Sequence, residues 1–194
     1  MNYHQKIYLV RHGETEWTVK GRHTSLTDIP LTEKGRDQAR LLSARLKHHD
    51  FQKVFTSPLK RAAETCSIVN LPLDAEVDPD LVEWNYGQFE GLTSDEIHRK
   101  DPDWTIFTKG APGGESLEEI RNRADKVLKK LSGIPGDIAL FSSGHFLRVL
   151  TSRWIQSLPS FGKHLLLFPA SISILGHERQ CPAIFLWNDI SHLS

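Results

Sequence analysis

With 194 residues, 39% of them apolar and 25% charged, the chain has the composition of one compact domain and is neither disordered nor a fibrous repeat. Lys plus Arg equals Asp plus Glu at 24 each, so no overall basic field exists to hold a nucleic-acid backbone or an anionic membrane surface. Two cysteines, Cys66 and Cys181, are too few and too far apart for a disulfide framework or a zinc site.

Met1 to Lys6 is polar, without the apolar run of a signal peptide, and no later stretch approaches a membrane span, which predicts a soluble cytoplasmic protein. Lys6 to Val10 is a short β-rich run that stops at Arg11, His12 and Gly13, a polar turn of the kind that carries function at a strand's end. Thr32 suits an N-cap, and Ala39, Leu42 and Leu46 follow at helical spacing. Val54 to Ser57 reads as a second strand, Pro58 as a first helical position, and Leu59 to Val69 as an amphipathic helix with Arg61 in its first turn.

The stretch 72–114 is irregular, with prolines at 72, 79, 102 and 112 and one short helix expected around Ser94 to Arg99; it reads as a loop-rich insertion over the sheet. Ser116 to Leu131 is a longer helix with an apolar stripe at Leu117, Ile120, Ala124, Val127 and Leu131, and Gly133 is a natural stop. Asp137 to Ser142 is a continuous strand of the buried parallel type, followed by Ser143, Gly144 and a helix from about His145 to Ser157. Ser171 to Gly176 and Ala183 to Trp187 read as a hairpin around Glu178 to Pro182. This order predicts a single three-layer α/β domain over 1–194, with a mostly parallel sheet and helices on both faces. Ligands of such sheets gather at the carboxyl ends of the strands, so His12, Arg61 and Ser143 to His145 should converge there.

Arg11-His12-Gly13 directly follows a strand, where a guanidinium supplies planar donors for a phosphate dianion. A neutral imidazole nitrogen can attack phosphorus if a carbonyl holds its other nitrogen. Taken alone, a strand-end histidine satisfied by backbone groups would be the plainer reading, and Glu83 could be a solvated loop carboxylate like nearby Glu90, Asp95 and Glu96. The surroundings add more. Arg11-His12-Gly13-Glu14-Thr15-Glu16-Trp17, Asp28-Ile29-Pro30-Leu31-Thr32, Ser57-Pro58-Leu59-Lys60-Arg61-Ala62, Glu83-Trp84-Asn85-Tyr86-Gly87, Gly113-Gly114-Glu115-Ser116 and Gly144-His145-Phe146-Leu147-Arg148 resemble, in order and spacing, the histidine phosphatase or phosphoglycerate-mutase-like family. Gly21 to Thr32 and the Glu83 block are most similar to its sugar-bisphosphatase branch, which includes sedoheptulose-1,7-bisphosphatase.

The resemblance implies a phosphoglycerate-mutase-like fold and a phosphomonoesterase acting on a small ester such as a sugar phosphate, needing neither cofactor nor metal. His12 would become phosphorylated, Arg11 and Arg61 would clamp the phosphoryl oxygens, and Glu83 would protonate the leaving group and then assist water. Thr24, Ser25 and Tyr86 match substrate-pocket positions, Gly144 and His145 fall within the last motif, and Thr18 stands where Asn is common. His23, beside Thr24, is a further candidate for substrate contact; the other histidines share no metal-ligand spacing. One departure stands out: the family's second catalytic histidine is Ser143 here, a neutral donor of shorter reach. His145, at the helix start, is expected to leave the pocket wall in another direction. Two rivals stay open: a phosphoglycerate mutase, and a weakly active phosphate-binding protein kept in view by Ser143. The expected partner is a small phosphate ester, with no nucleic acid or membrane, and a homodimer is left open.

Overall fold

Period-two alternation in the first strand divides the molecule into two cores. The computed structural model describes residues 4–194, so the polar reading of Met1 to Tyr3 lies outside the described residues. In β1 (Ile7–Arg11), Ile7 and Leu9 face one apolar cluster while Tyr8 and Val10 face another. The same division runs through β2 (Phe51–Thr56) and β4 (Asp137–Ser142).

The chain order is β1, α1 (Glu16–Val19), α2 (Glu33–Leu46), β2, α3 (Lys60–Val69), β3 (Glu76–Val77), α4 (Ser94–His98), α5 (Ile106–Lys109), α6 (Leu117–Leu131), β4, α7 (Gly144–Trp154), β5 (Ile172–Glu178) and β6 (Cys181–Asp189). One six-stranded sheet has the order β3-β2-β4-β1-β5-β6. The first four strands are mutually parallel, and β5 and β6 add antiparallel. Helices α2 and α3 cover one face through Leu42, Leu46, Cys66 and Val69; α6 and α7 cover the other through Ile120, Ala124, Val127, Phe146 and Leu150. The predicted mostly parallel sheet with helices on both faces is the fold observed. Among the described residues no helix is long and apolar enough to cross a membrane.

The caps explain where the helices begin. Thr32 accepts from Gly35 N at the start of α2, and Ser116 forms a capping box with Glu119 at α6. Helix α3 differs from expectation, since its N-cap is Leu59 and Pro58 stands outside the helix. The missing cap comes from another loop, as Asp28 Oδ1 accepts from Lys60 N at 2.7 Å. Helix α7 begins at Gly144 and stops at Trp154, short of Ser157, because Gln156 turns left-handed at φ 59.

The segment 72–114 is less irregular than its prolines predict. It supplies β3, which pairs with β2, as well as α4 and α5, and its Trp84, Tyr86, Ile97, Trp104 and Phe107 enter the core beneath α6 and α7. Its middle, around Gly87, is closed against its C-terminal end. Gly87 has φ 49, and a Cβ built there would lie 2.3 Å from Gly114 N and 2.4 Å from Pro112 O. Glu115 N also donates to Asn85 O at 2.9 Å, and Trp84 Nε1 to Glu115 O at 2.7 Å. The loop that carries Glu83 and Tyr86 is thereby held at a fixed height above the sheet.

Candidate active site

Three chain segments meet at the carboxyl ends of β1, β2 and β4. Parallel pairing sets Arg11 beside Ser142, and His12 N donates to Ser142 O at 3.0 Å. The first turn of α3 brings Arg61, wholly buried, to the same place. A cavity of about 90 Å³ opens over this point. Arg11, His12, Thr18, Thr24, Glu83, Tyr86, Gly144 and His145 line it, while Arg61, Ser25 and Ser143 stand buried outside the lining.

His12 is oriented by its own neighbour. Its Nδ1 lies 2.8 Å from Gly13 O, so this nitrogen carries the proton and donates, and Nε2 keeps a free lone pair. Burial, and then the charges of Arg61 and Arg11, hold the imidazole well below the usual histidine range, so it is neutral near pH 7. A neutral nitrogen between two guanidinium groups is a nucleophile beside an anion site.

Both arginines are anchored with donors to spare. Arg11 Nη1 donates to Leu167 O. Arg61 donates to the carbonyl oxygens of Thr27 at 3.2 Å, Thr24 at 3.2 Å and Ser25 at 3.0 Å. The Nε of each is buried and without a hydrogen-bond partner, as are Ser25 Oγ and Ser143 Oγ. Buried charged donors left unsatisfied are costly, and an anion would satisfy them.

Glu83 is 5% exposed and sits against the start of α7. Its Oε1 accepts from Trp84 N at 2.8 Å and Phe146 N at 2.7 Å, and Oε2 accepts from His145 N at 2.9 Å. Oε1 is thus filled, whereas Oε2 keeps a lone pair that can carry a proton to a group in the cavity.

The outer wall is aromatic and imidazole-rich. The Tyr86 hydroxyl bonds to His145 Nδ1, and His23 lies 4.9 Å from the Tyr86 ring and 6.0 Å, stacked, from the His145 ring. Burial raises the Tyr86 hydroxyl well above its ordinary value and holds His145 well below its own, while His23 falls to about 4. Helix α7 starts one residue earlier than read, and the His145 ring lines the cavity wall while Ser143 does not. Thr18 and Thr24 line the cavity but already use their hydroxyls, Thr18 donating to Thr15 O at 2.9 Å and Thr24 to Arg22 O at 3.1 Å.

Arg22, Arg148 and Leu167 also line the cavity, though the sequence reading assigned them no role. Arg148 stacks over Phe107 at 4.4 Å and donates from Nε to Gly162 O at 2.8 Å; burial lowers it to about 10. Arg22 Nη1 donates to Gly91 O. Arg148 had a local signal, since it follows His145 by three positions on one helix face. Arg22 had none. Among the described residues no group of three or more His, Cys, Asp or Glu is placed to hold a metal ion.

The chain is 38% identical over 179 residues to an acid phosphatase of Mycobacterium tuberculosis, covering 89% of this chain and 87% of the relative. It is 33% identical over 181 residues to the sedoheptulose 1,7-bisphosphatase of Saccharomyces cerevisiae, covering 77% and 67%. A solved structure of an open reading frame from Mycobacterium tuberculosis superposes with a TM-score of 0.88 at 35% identity, over 95% of this chain and 97% of the other. The family model described as histidine phosphatase superfamily (branch 1) matches residues 7–190. With its strand-end histidine, buried guanidinium pair and this match over nearly its whole length, the chain belongs to the histidine phosphatase superfamily.

Proposed function

We propose that this chain hydrolyses a small phosphate ester carrying a second anionic group, such as a phosphorylated sugar, through a phosphohistidine on His12. The enzyme class, a phosphoric monoester hydrolase, follows from family membership and from relatives named as phosphatases. The reading is carried by one observation: His12 Nε2 is uncharged and unblocked because Nδ1 is tied to Gly13 O, and the two nearby guanidinium groups each keep a buried Nε unpaired. In the first step Nε2 bonds to phosphorus as the ester P–O bond breaks, and Glu83 Oε2 gives the leaving oxygen a proton. In the second, Glu83 takes a proton from water as it attacks phosphorus and frees the imidazole. Arg11 and Arg61 hold the phosphoryl oxygens through both.

The second anionic group is proposed from Arg22 and Arg148, which add positive charge to the cavity. The small volume favours a compact substrate, and a bisphosphatase among the relatives fits this chemistry. Two unpaired thiols suit the reducing cytoplasm. Rapid-quench turnover of a ³²P-labelled sugar bisphosphate tests the reading: an acid-labile phosphoenzyme should form in the wild type and be absent in His12→Ala. Isomerisation of 2- or 3-phosphoglycerate without release of inorganic phosphate would replace hydrolysis with mutase chemistry.

A further inference from the structure

We propose that Asn188 is a positioning residue for phosphoryl transfer: it holds the peptide that aims the Leu167 carbonyl at Arg11, and so fixes the guanidinium toward the transferring group. The inference rests on the phosphohistidine reading above. Among the described residues the Arg11 side chain makes one hydrogen bond, from Nη1 to Leu167 O. That carbonyl belongs to the Leu167–Phe168 peptide, whose N–H, on Phe168, donates to Asn188 Oδ1 at 2.7 Å. The N–H and C=O of a planar trans peptide point in opposite directions and turn together. Asn188 on one edge therefore sets the direction in which the other edge accepts Arg11. An N–H bonded to the side-chain amide also polarises its carbonyl, which strengthens the bond to the cation.

The reach of Asn188 comes from a bulge. Strand β5 pairs Ile172 with Asp189 but Ile174 with Leu186, so Trp187 and Asn188 together stand opposite Ser173. An extra residue breaks the alternation of side chains and re-aims them. Asn188 takes the left-handed conformation at φ 56, which asparagine tolerates, and its N–H donates to Ser173 Oγ at 3.0 Å. Trp187 Nε1 donates to Leu166 O at 2.6 Å, so neighbouring side chains grip the backbone on both sides of Leu167. Farther on, His192 Nε2 donates to Ala170 O at 3.0 Å, and Ala170 N donates to His12 O at 3.0 Å. Leu166 to Ala170 is thus a strap, gripped from one side by β6 and its tail and bonded on the other to Arg11 and His12. Asn188 itself is half-buried and outside the cavity lining, to which Leu167 belongs. It touches no substrate and acts through Arg11.

Asn188→Gly suits the left-handed backbone and removes the amide, whereas Asn188→Asp keeps an oxygen in place. With p-nitrophenyl phosphate, Asn188→Gly should lower kcat/KM about tenfold. Orthovanadate, which adopts the five-coordinate geometry of transfer, should bind it weaker by a similar factor, about tenfold. Asn188→Asp should stay within about threefold of wild type. A loss of packing alone would act equally with or without the guanidinium, so the deciding readout is the coupling between the two sites. In an Arg11→Met background, Asn188→Gly should change kcat/KM and vanadate affinity by less than about twofold. Trp187→Phe, which removes the bond to Leu166 O, should cost about threefold and lose that effect in the same background, and it supplies the cycle should Asn188→Gly not fold. Equal losses with and without Arg11, or wild-type kinetics in Asn188→Gly, with His12→Ala inactive, would overturn this inference alone. An active His12→Ala would overturn the phosphohistidine reading and this inference with it.

Discussion

Gly144 lies directly against the guanidinium of Arg11, where an added Cβ would fall 3.1 Å from Cζ and 3.2 Å from Nε. Arg11 cannot withdraw freely, because its Nη1 is tied to Leu167 O. Gly144→Ala should therefore tilt the guanidinium by a few tenths of an ångström and lower kcat/KM about tenfold or more, since misplacement of this order is costly in a positioned site. The melting temperature should hardly move. Steady-state kinetics beside calorimetry would check the split.

Arg123 ties Glu83's loop to α6. It donates to the carbonyl oxygens of Asp80 at 2.8 Å, Val82 at 2.7 Å and Glu83 at 3.3 Å, pairs with Glu115 at 2.6 Å and stacks over Phe146 at 4.4 Å. Arg123→Met keeps the apolar stem but removes the clamp, leaving Glu115 without its charge partner. A loss of about 2–4 kcal/mol in unfolding free energy is expected, together with a fall in kcat, because Glu83 loses its support. Urea titration and kinetics on the same preparation would show whether the two losses travel together.

Acid should destabilise the protein before its carboxylates titrate fully. His12, His23 and His145 are all held below the ordinary histidine value of 6.5, first by burial, and His23 titrates at about 4. The unfolded chain binds protons at these positions below that value while the folded chain does not. Stability is therefore full above pH 6.5 and is lost as pH falls from 6.5 toward 4 for His23, and further for the other two, at up to about 1.4 kcal/mol per pH unit per group. His23→Gln should flatten the slope of the urea midpoint between pH 6.5 and 4.

Arg148 is expected to recognise the far end of the substrate and to leave the phosphoryl step alone. Arg148→Met should raise KM for a sugar bisphosphate about tenfold or more, the loss of a charge-assisted pair. A phosphate ester without a second anionic group should show nearly unchanged kcat/KM. An equal loss for both substrates would assign Arg148 to the reacting phosphate instead.

Much of the fold was legible because its signals are local. Thr32 and Ser116 announce the helices they cap, and Asp137 to Ser142 reads as a buried strand whose apolar run admits no solvated face. The expectation that His12, Arg61 and Ser143 to His145 converge rested on strand ends alone. What the chain hides is long-range. Pro58 looks like a helix start only until Asp28, from another loop, supplies the cap. Glu83 could be read only from its motif, since its partners His145 and Phe146 are far along the chain. Arg22 reaches the cavity through a loop with no periodicity to betray its direction.

The place where Gly87 meets Gly114 acts as a weld in the substrate-facing loop. A side chain at either glycine would run into main chain and drag Glu83 and Tyr86 away from His12. New substrate preference is therefore accessible to evolution, or to a designer's library, through the cavity rim at Arg22, His23, Arg148 and Leu167, where side chains can be exchanged without breaking the joint that positions Glu83.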